Sequence, residues 1–158
     1  MFFYVNLNNF DKITQKGDTM EYSINNNDVL LRLDPGDEII DCILKVAREA
    51  NITNAEVSGI GATDNFEIGV FNLETKQYDL HQFTGNHEIT NLCGSITTMN
   101  AEAYQHLHIT CANSQGQCVG GHLLKAKISL TCEIYIRKAE GTITRKKNES
   151  LGINQWQF

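Results

Sequence analysis

The residues best suited to chemistry lie in one stretch, YQHLHITCANSQGQCVGGHLL, which runs from Tyr104 to Leu124. It contains three of the chain's five histidines, at His106, His108 and His122. Neutral imidazole is the commonest side-chain ligand of transition metals. The first question is therefore whether the chain brings these three side chains to one point.

The spacing of the first two histidines places them together. Residues two apart on a β-strand point to the same face, so His106 and His108 share one side of a strand, with Leu107 on the other. Gly120 and Gly121 precede His122 and leave room for a ligand or another backbone to come close.

The hairpin loop predicts the position of the third histidine. Gly116 in NSQG suits the left-handed position of a three-residue loop, which would pair Asn113 with Gln117. Counting back places His108 directly across from His122, where Cβ atoms are about 4.5–5.5 Å apart. A β-bulge would shift this register by one residue.

Three converging imidazoles suit Zn²⁺ and leave a fourth position for water or another ligand. Imidazole also suits copper, nickel and iron, so the ligands alone do not identify the ion. The alternative is that the histidines are hydrogen-bonded or solvated residues of a strand face, since H-x-H by itself is a weak signal.

The elements around this stretch predict an α+β fold. Asp34, Pro35 and Asp37 resemble an N-cap and first turn, and an apolar face repeats with helical period until Asn51. The other segments are short, rich in β-branched residues and bounded by Gly or Asn. The predicted strands are Val29–Leu33, Ala55–Ala62, Asn65–Phe71, Gln77–Phe83, His87–Thr97, Tyr104–Ala112, Gln117–Leu124, Ser129–Arg137 and Thr142–Lys146.

Composition points to one soluble domain. The chain has 158 residues, a net charge of −6 and a pI near 5.3, a balance that disfavours general binding to nucleic acid. We find no apolar run of about 20 residues and no signal peptide, so we expect a cytoplasmic protein without a membrane segment. Residues 1–27 are expected to form a flexible N-terminal extension and residues 28–158 the domain.

The five cysteines are scattered, and none forms a C-x-x-C pair. We interpret them as buried, reduced thiols. The basic residues near the C-terminus are interpreted as a solvated strand edge. They are Arg137, Lys138, Arg145, Lys146 and Lys147.

The segment from Leu31 to about Ile153 resembles a PPC domain (plant and prokaryote conserved domain). The similar pieces occur in the family's order and are LRLDPGDEIIDCILKVAREANI, VSGIGA, GVFNLETKQY, EITNLCGSI, HLHI and GQCVGGHLL. The resemblance implies an antiparallel-rich mixed sheet with one main covering helix, assembled as a homotrimer. For stand-alone prokaryotic members it also implies a metal ion, at positions that correspond to His106, His108 and His122.

Plant members of the family add an AT-hook with the core Arg-Gly-Arg-Pro. This chain has one proline, Pro35, and so lacks that motif. DNA binding by that route is excluded. The alternative function, a DNA- or protein-interaction module in which the metal is structural, is kept beside that of a metal site for a small molecule.

A hydrolytic site would also need a general base. Glu88 is the candidate by family position, either within one chain or across a trimer interface. The alternative is a surface carboxylate at a strand start. The sequence identifies no substrate or ligand.

Overall fold

The structure, a computed structural model, describes residues 11–13 and 20–158. In this part of the chain, nine strands form one sheet and one helix packs on it. The elements are β1 (Asp11–Ile13), β2 (Glu21–Asn25), β3 (Asp28–Leu33), α1 (Ile39–Glu49), β4 (Ala55–Asn72), β5 (Gln77–Met99), β6 (Glu102–Ala112), β7 (Cys118–Lys138), β8 (Thr144–Asn148) and β9 (Ile153–Gln157).

The sheet curls so strongly that its central strands close on themselves. The path runs β1-β2-β3-β7-β4-β5-β8-β9, and β6 pairs with both β5 and β7. All pairs are antiparallel except the short parallel bridge between β5 and β8. The α+β class with an antiparallel-rich mixed sheet and one covering helix is therefore confirmed.

Two of the long strands, β4 and β7, each combine two predicted strands. In β4, a register shift between Thr63 and Asn65 lies at the gap between the two predicted strands, and a second shift between Gly59 and Gly61 lies within the first of them. β5 likewise spans two predicted strands, Gln77–Phe83 and His87–Thr97. Bulges bend a strand without ending it, so turn-like residues inside these strands were misleading.

The helix begins later than the sequence suggests. Asp34 to Asp37 form a turn in which the Asp37 N–H donates to the Asp34 carbonyl at 3.1 Å and Gly36 has φ +101°. Pro followed by Gly at positive φ is typical of a type II turn, which cannot continue into a helix. The N-cap is Glu38, whose carboxylate accepts from the Asp41 N–H at 2.9 Å, so the prediction of Asp34 was wrong.

The apolar face of α1 lies against β6 and β7 and closes the core. Ile39, Ile43 and Val46 are fully buried there, because residues at helical spacing share one side of the helix. Asn51 ends the helix at φ +51°, as expected for a polar residue just beyond the cap.

Residues 20–27 contribute to the sheet. β2 pairs with β3 in register, and Met20 and Tyr22 are buried in the core. This strand lies in the segment interpreted from sequence as part of an extension, because its Asn-rich composition hid the alternation of buried residues. Residues 1–10 and 14–19 lie outside the described residues, so the expectation of a flexible leader stays a prediction.

Among the described residues, the single helix is too short to cross a lipid bilayer.

Candidate metal centre

The β6–β7 hairpin has the predicted register. The Asn113 N–H donates to the Gln117 carbonyl at 3.0 Å, and Gly116 has φ +74°. His108 lies opposite His122 across the two strands. The prediction from the loop length is therefore confirmed.

The three imidazoles converge. Their ring centroids are 5.3 Å apart for His106 and His108, 5.2 Å for His106 and His122, and 5.6 Å for His108 and His122. One nitrogen from each ring lies within 4.8 Å of one nitrogen from each of the others. Nitrogens of a tetrahedral zinc site, each about 2.1 Å from the ion, are roughly 3.4 Å apart, so the three rings are close to the spacing that one ion requires.

The surroundings of His106 and His122 keep these two rings neutral, which is the form that binds a metal ion. Burial, together with the neighbouring His106 and His108, lowers the pKa of His122 to about 4. Burial is also the main cause that lowers the pKa of His106, followed by the charge of Arg145. Both rings are thus neutral at pH 7 and present a lone pair.

The environment of His122 fits a bound ion. Its Nδ1 atom is shielded from solvent and has no hydrogen-bond partner among the described residues. Buried polar atoms nearly always have a hydrogen-bond or metal partner, so we expect a partner for this nitrogen too. A metal ion between the three rings would supply one, and the residues therefore fit the expected metal.

Two glycines make room for the cluster. A Cβ at Gly94 on β5 would collide with the carbonyl oxygen of His106, so the glycine lets β6 approach. A Cβ at Gly69 on β4 would lie 2.7 Å from the ring of Tyr78. Tyr78 therefore reaches across Gly69 and stacks on His122, with ring centroids 5.0 Å apart.

The histidines line a cavity of about 510 Å³. Its walls come from β4, β5, β6, β7 and the β8–β9 hairpin, and among the described residues they include no carboxylate. The polar side chains beside the histidines are Tyr78, Tyr104, Asn154 and Arg145. Burial raises the pKa of Tyr78, so its phenol stays protonated at neutral pH.

Arg145 is the main residue that sequence reasoning misplaced. It was interpreted as part of a solvated basic edge, but its side chain lies in the cavity wall and the residue is only 8% exposed. Its neighbours Thr144 and Lys146 are exposed, so alternation along β8 turns Arg145 inward. That alternation was the available signal, although it does not say which side is inside.

Glu88 does not lie in this cavity. It is exposed and pairs with Ala112, at the loop end of the β6–β7 hairpin. Four residues separate Ala112 from His108 on β6, which is roughly 13 Å along a strand. Within one chain, Glu88 is therefore too far from the imidazoles to act through a single water molecule.

The cysteines differ from the prediction of buried thiols. Cys111 and Cys132 are buried and Cys42 is half-buried, and burial raises the pKa of each to about 12. Cys93 and Cys118 are exposed, so for these two the prediction was wrong.

A family model of the Plants and Prokaryotes Conserved (PCC) domain matches residues 20–140. A search of curated proteins gives no match.

Solved structures agree with that match. A "putative DNA binding protein" from Bacteroides thetaiotaomicron is 32% identical with a TM-score of 0.86, covering 89% of this chain and 99% of that one. A "metal-containing protein" from Archaeoglobus fulgidus is 27% identical with a TM-score of 0.79, covering 89% and 99%. A plant- and prokaryote-conserved protein from Pyrococcus horikoshii is 27% identical with a TM-score of 0.79, covering 92% and 98%.

The family match covers the helix, strands β2 to β7 and the hairpin with its three histidines. The chain belongs to the Plants and Prokaryotes Conserved domain family.

Proposed function

We propose that this protein binds one divalent metal ion, Zn²⁺, through His106, His108 and His122, and that the cavity above the site binds a small molecule. The observation that supports this most directly is the convergence of three imidazoles, one of which, His122, has a buried Nδ1 atom without a partner among the described residues. A similar structure from Archaeoglobus fulgidus is described as metal-containing.

Zinc is the choice among divalent ions because the ligand set is all imidazole and three ligands are typical of sites that keep a position open. Other transition metals can bind the same donors. With an open position, zinc would supply Lewis acidity to a bound ligand.

The residues of this chain favour ligand binding over hydrolysis. Hydrolysis by a metal-activated water needs a group that accepts a proton, usually a carboxylate or histidine. The described cavity wall contains no carboxylate, its three histidines would be occupied by the metal, and Tyr78 stays protonated. A hydrolytic role would therefore need a group from a neighbouring chain, and Glu88 of such a chain is the candidate.

We also propose that the protein assembles as a homotrimer. Exposed apolar side chains on β4 and β7 support this, because such groups on a sheet face are usually covered by another surface. They are Ile60, Leu130 and Tyr135, which are 58%, 69% and 53% exposed. Light scattering should give a mass near three chains, and a monomer at micromolar concentration would contradict the proposal.

The second candidate is a DNA-interaction module, which is supported by the description of the Bacteroides thetaiotaomicron protein. The charge of this chain opposes it, since the net charge is −6 and Arg145 is not available at the surface. We expect no retention on duplex DNA at physiological salt, because the net charge is negative and the C-terminal basic cluster offers only Arg137, Lys146 and Lys147 as exposed cations to release counterions. Retention that survives that salt would favour this candidate.

Metal analysis tests the main proposal. Protein purified without added metal should contain about one zinc ion per chain. Replacing His106, His108 and His122 together by Ala should remove it, whereas His81→Ala, a change at an exposed histidine away from the cavity, should not. Full metal retention in the triple variant would overturn the proposal.

A further inference from the structure

Arg145 places a fixed positive charge in the wall of the same cavity. It comes from β8, about forty residues after His106 in the chain, and the sheet brings it beside the histidines. The residue is 8% exposed, so its guanidinium is largely removed from water. A buried cation is costly unless something compensates it.

The protein groups around Arg145 are all neutral. Nε donates to the hydroxyl of Thr97 at 2.8 Å, one terminal nitrogen donates to the carbonyl of Asn154 at 3.1 Å, and the other to the hydroxyl of Ser95 at 3.3 Å. The guanidinium also lies over the ring of Tyr104, at 4.9 Å from its centroid. These contacts hold its position and satisfy part of its hydrogen-bonding capacity.

Exposed arginines of the same sheet are paired differently. Arg32 lies 3.1 Å from the carboxylate of Asp34 and 3.3 Å from that of Glu21. Arg137 lies 3.4 Å from the carboxylate of Asp28. Among the arginines in the described part of the chain, only Arg145 is buried, and it has no carboxylate partner. A buried guanidinium needs a compensating charge more than an exposed one does.

Two N–H groups of Arg145 have no hydrogen-bond partner among the described residues. A guanidinium has five N–H donors, and three of them are used by Thr97, Asn154 and Ser95. Arginine binds carboxylate and phosphate groups through paired donors of this kind.

We propose that the cavity binds a small organic oxyanion, a carboxylate or a phosphate monoester, held between Arg145 and the metal site. This inference rests on the proposed metal site, because an ion on three neutral histidines adds a second positive charge to a cavity without carboxylates. The apolar walls from Phe71, Tyr78 and Ile153 then face the organic part of the ligand.

The size of the cavity agrees with such a ligand. Its volume of about 510 Å³ lies within the range of roughly 300–1,000 Å³ that is usual for small-molecule sites. Apolar walls with a few convergent polar groups are also typical of such sites. The chain as a whole has a net charge of −6. The positive charge of Arg145 and of the proposed metal ion is therefore confined to the cavity.

The test measures anion binding to zinc-loaded protein whose zinc content has been determined first. The probes are benzoate and phenyl phosphate, and benzamide is the neutral match for benzoate. Titration calorimetry should show that benzoate or phenyl phosphate binds, and that the preferred anion binds at least about tenfold more tightly than benzamide, equivalent to about 1.4 kcal/mol. The stronger of the two anions identifies the headgroup.

Arg145→Met tests the role of the charge, since methionine keeps an apolar stem of similar length. At equal zinc content we expect the anion affinity to fall at least about tenfold. Arg145→Lys should lose less, because it keeps the charge but not the paired donors. Arg137→Met, which removes an exposed cation outside the cavity, should leave the affinity unchanged.

Three outcomes would overturn the inference. They are zinc-loaded protein that binds neither anion, zinc-loaded protein that binds benzamide as well as the anions, and folded, zinc-loaded Arg145→Met that binds anions like the unaltered protein. The benzamide comparison decides the question even if the variants do not fold. Protein that never holds zinc would instead refute the metal site, so the two failures are distinguishable.

Discussion

The two ends of the β6–β7 hairpin consist of the same two strands, but their surroundings differ. At the cavity end, His108 pairs with His122, Tyr78 stacks on one ring and Arg145 lies in the wall. At the loop end, Ala112 pairs with Cys118 and with Glu88, and both of these partners are exposed.

The difference arises from what covers each end. The cavity end faces β4, the first half of β5 and the β8–β9 hairpin, which together half-bury His106 and His122 while His108 stays exposed. The loop end projects past these elements. Two strands can place suitable residue types opposite each other, but only additional elements convert such a pair into a partly desolvated site where charges interact strongly.

The largest expected effect concerns metal at the cavity end. Adding zinc to chelator-treated protein should stabilise it, because the ion binds the folded state: about 4 kcal/mol when free zinc is 1,000 times its dissociation constant. The rise in melting temperature should be largely lost in His122→Ala. His87→Ala, a change near the loop end, should keep it. Equal zinc stabilisation in both variants would remove the distinction between the two ends.

The second effect concerns the close approach of β5 and β6 beside His106. Gly94→Ala places a Cβ against the carbonyl oxygen of His106, and we expect a loss of about 3 kcal/mol in the free energy of unfolding.

Gly116→Ala is the matched control in the loop. A Cβ there has nothing within 4 Å, so only its φ of +74° is unfavourable, at about 1 kcal/mol. Urea denaturation measures both losses. If the change at Gly116 costs as much as that at Gly94, the close packing at the cavity end is not what constrains the hairpin.

A smaller effect is expected at Glu88. Glu88→Gln should change the free energy of unfolding by less than about 0.5 kcal/mol, as is usual for exposed positions. Zinc content should also stay the same, because Glu88 lies far from the imidazoles of its own chain. A loss of zinc on this change would show that Glu88 of a neighbouring chain reaches the metal.

The smallest perturbation is chemical modification of the exposed cysteines, Cys118 at the loop end and Cys93 on β5 opposite His108. Only the thiolate reacts with alkylating reagents, and a pKa of about 12 leaves about one Cys111 thiol in ten thousand ionised at pH 8. Brief treatment of folded protein with iodoacetamide should therefore modify the exposed Cys118 and Cys93 and spare Cys111. Peptide mass spectrometry identifies the modified residues, and early modification of Cys111 would show that this end of the core opens.

Much of the candidate site was predictable because its geometry is local. The shared face of His106 and His108 follows from the two-residue period of a strand, and the pairing of His108 with His122 follows from a three-residue loop. The helix was predictable for the same reason, although its start was not, since the turn at Gly36 resembled a helix cap in sequence.

The N-terminal strand and the position of Glu88 show the limits of local reasoning. β2 lacks a strong apolar pattern, and its place in the sheet depends on pairing with β3. Glu88 was chosen by family position, and its distance from the imidazoles depends on how far β5 extends past the cavity. Neither property can be obtained from neighbouring residues alone.

By itself, the sequence determined the metal-ligand types, their common face and the register of the hairpin, because backbone periodicity and loop length act over a few residues. The tertiary structure decided that Tyr78 would stack on His122 and that Arg145 would be buried beside His106 without a carboxylate. Those contacts join residues about forty positions apart, and they exist only because the curled sheet brings β4, β5 and β8 around the same cavity.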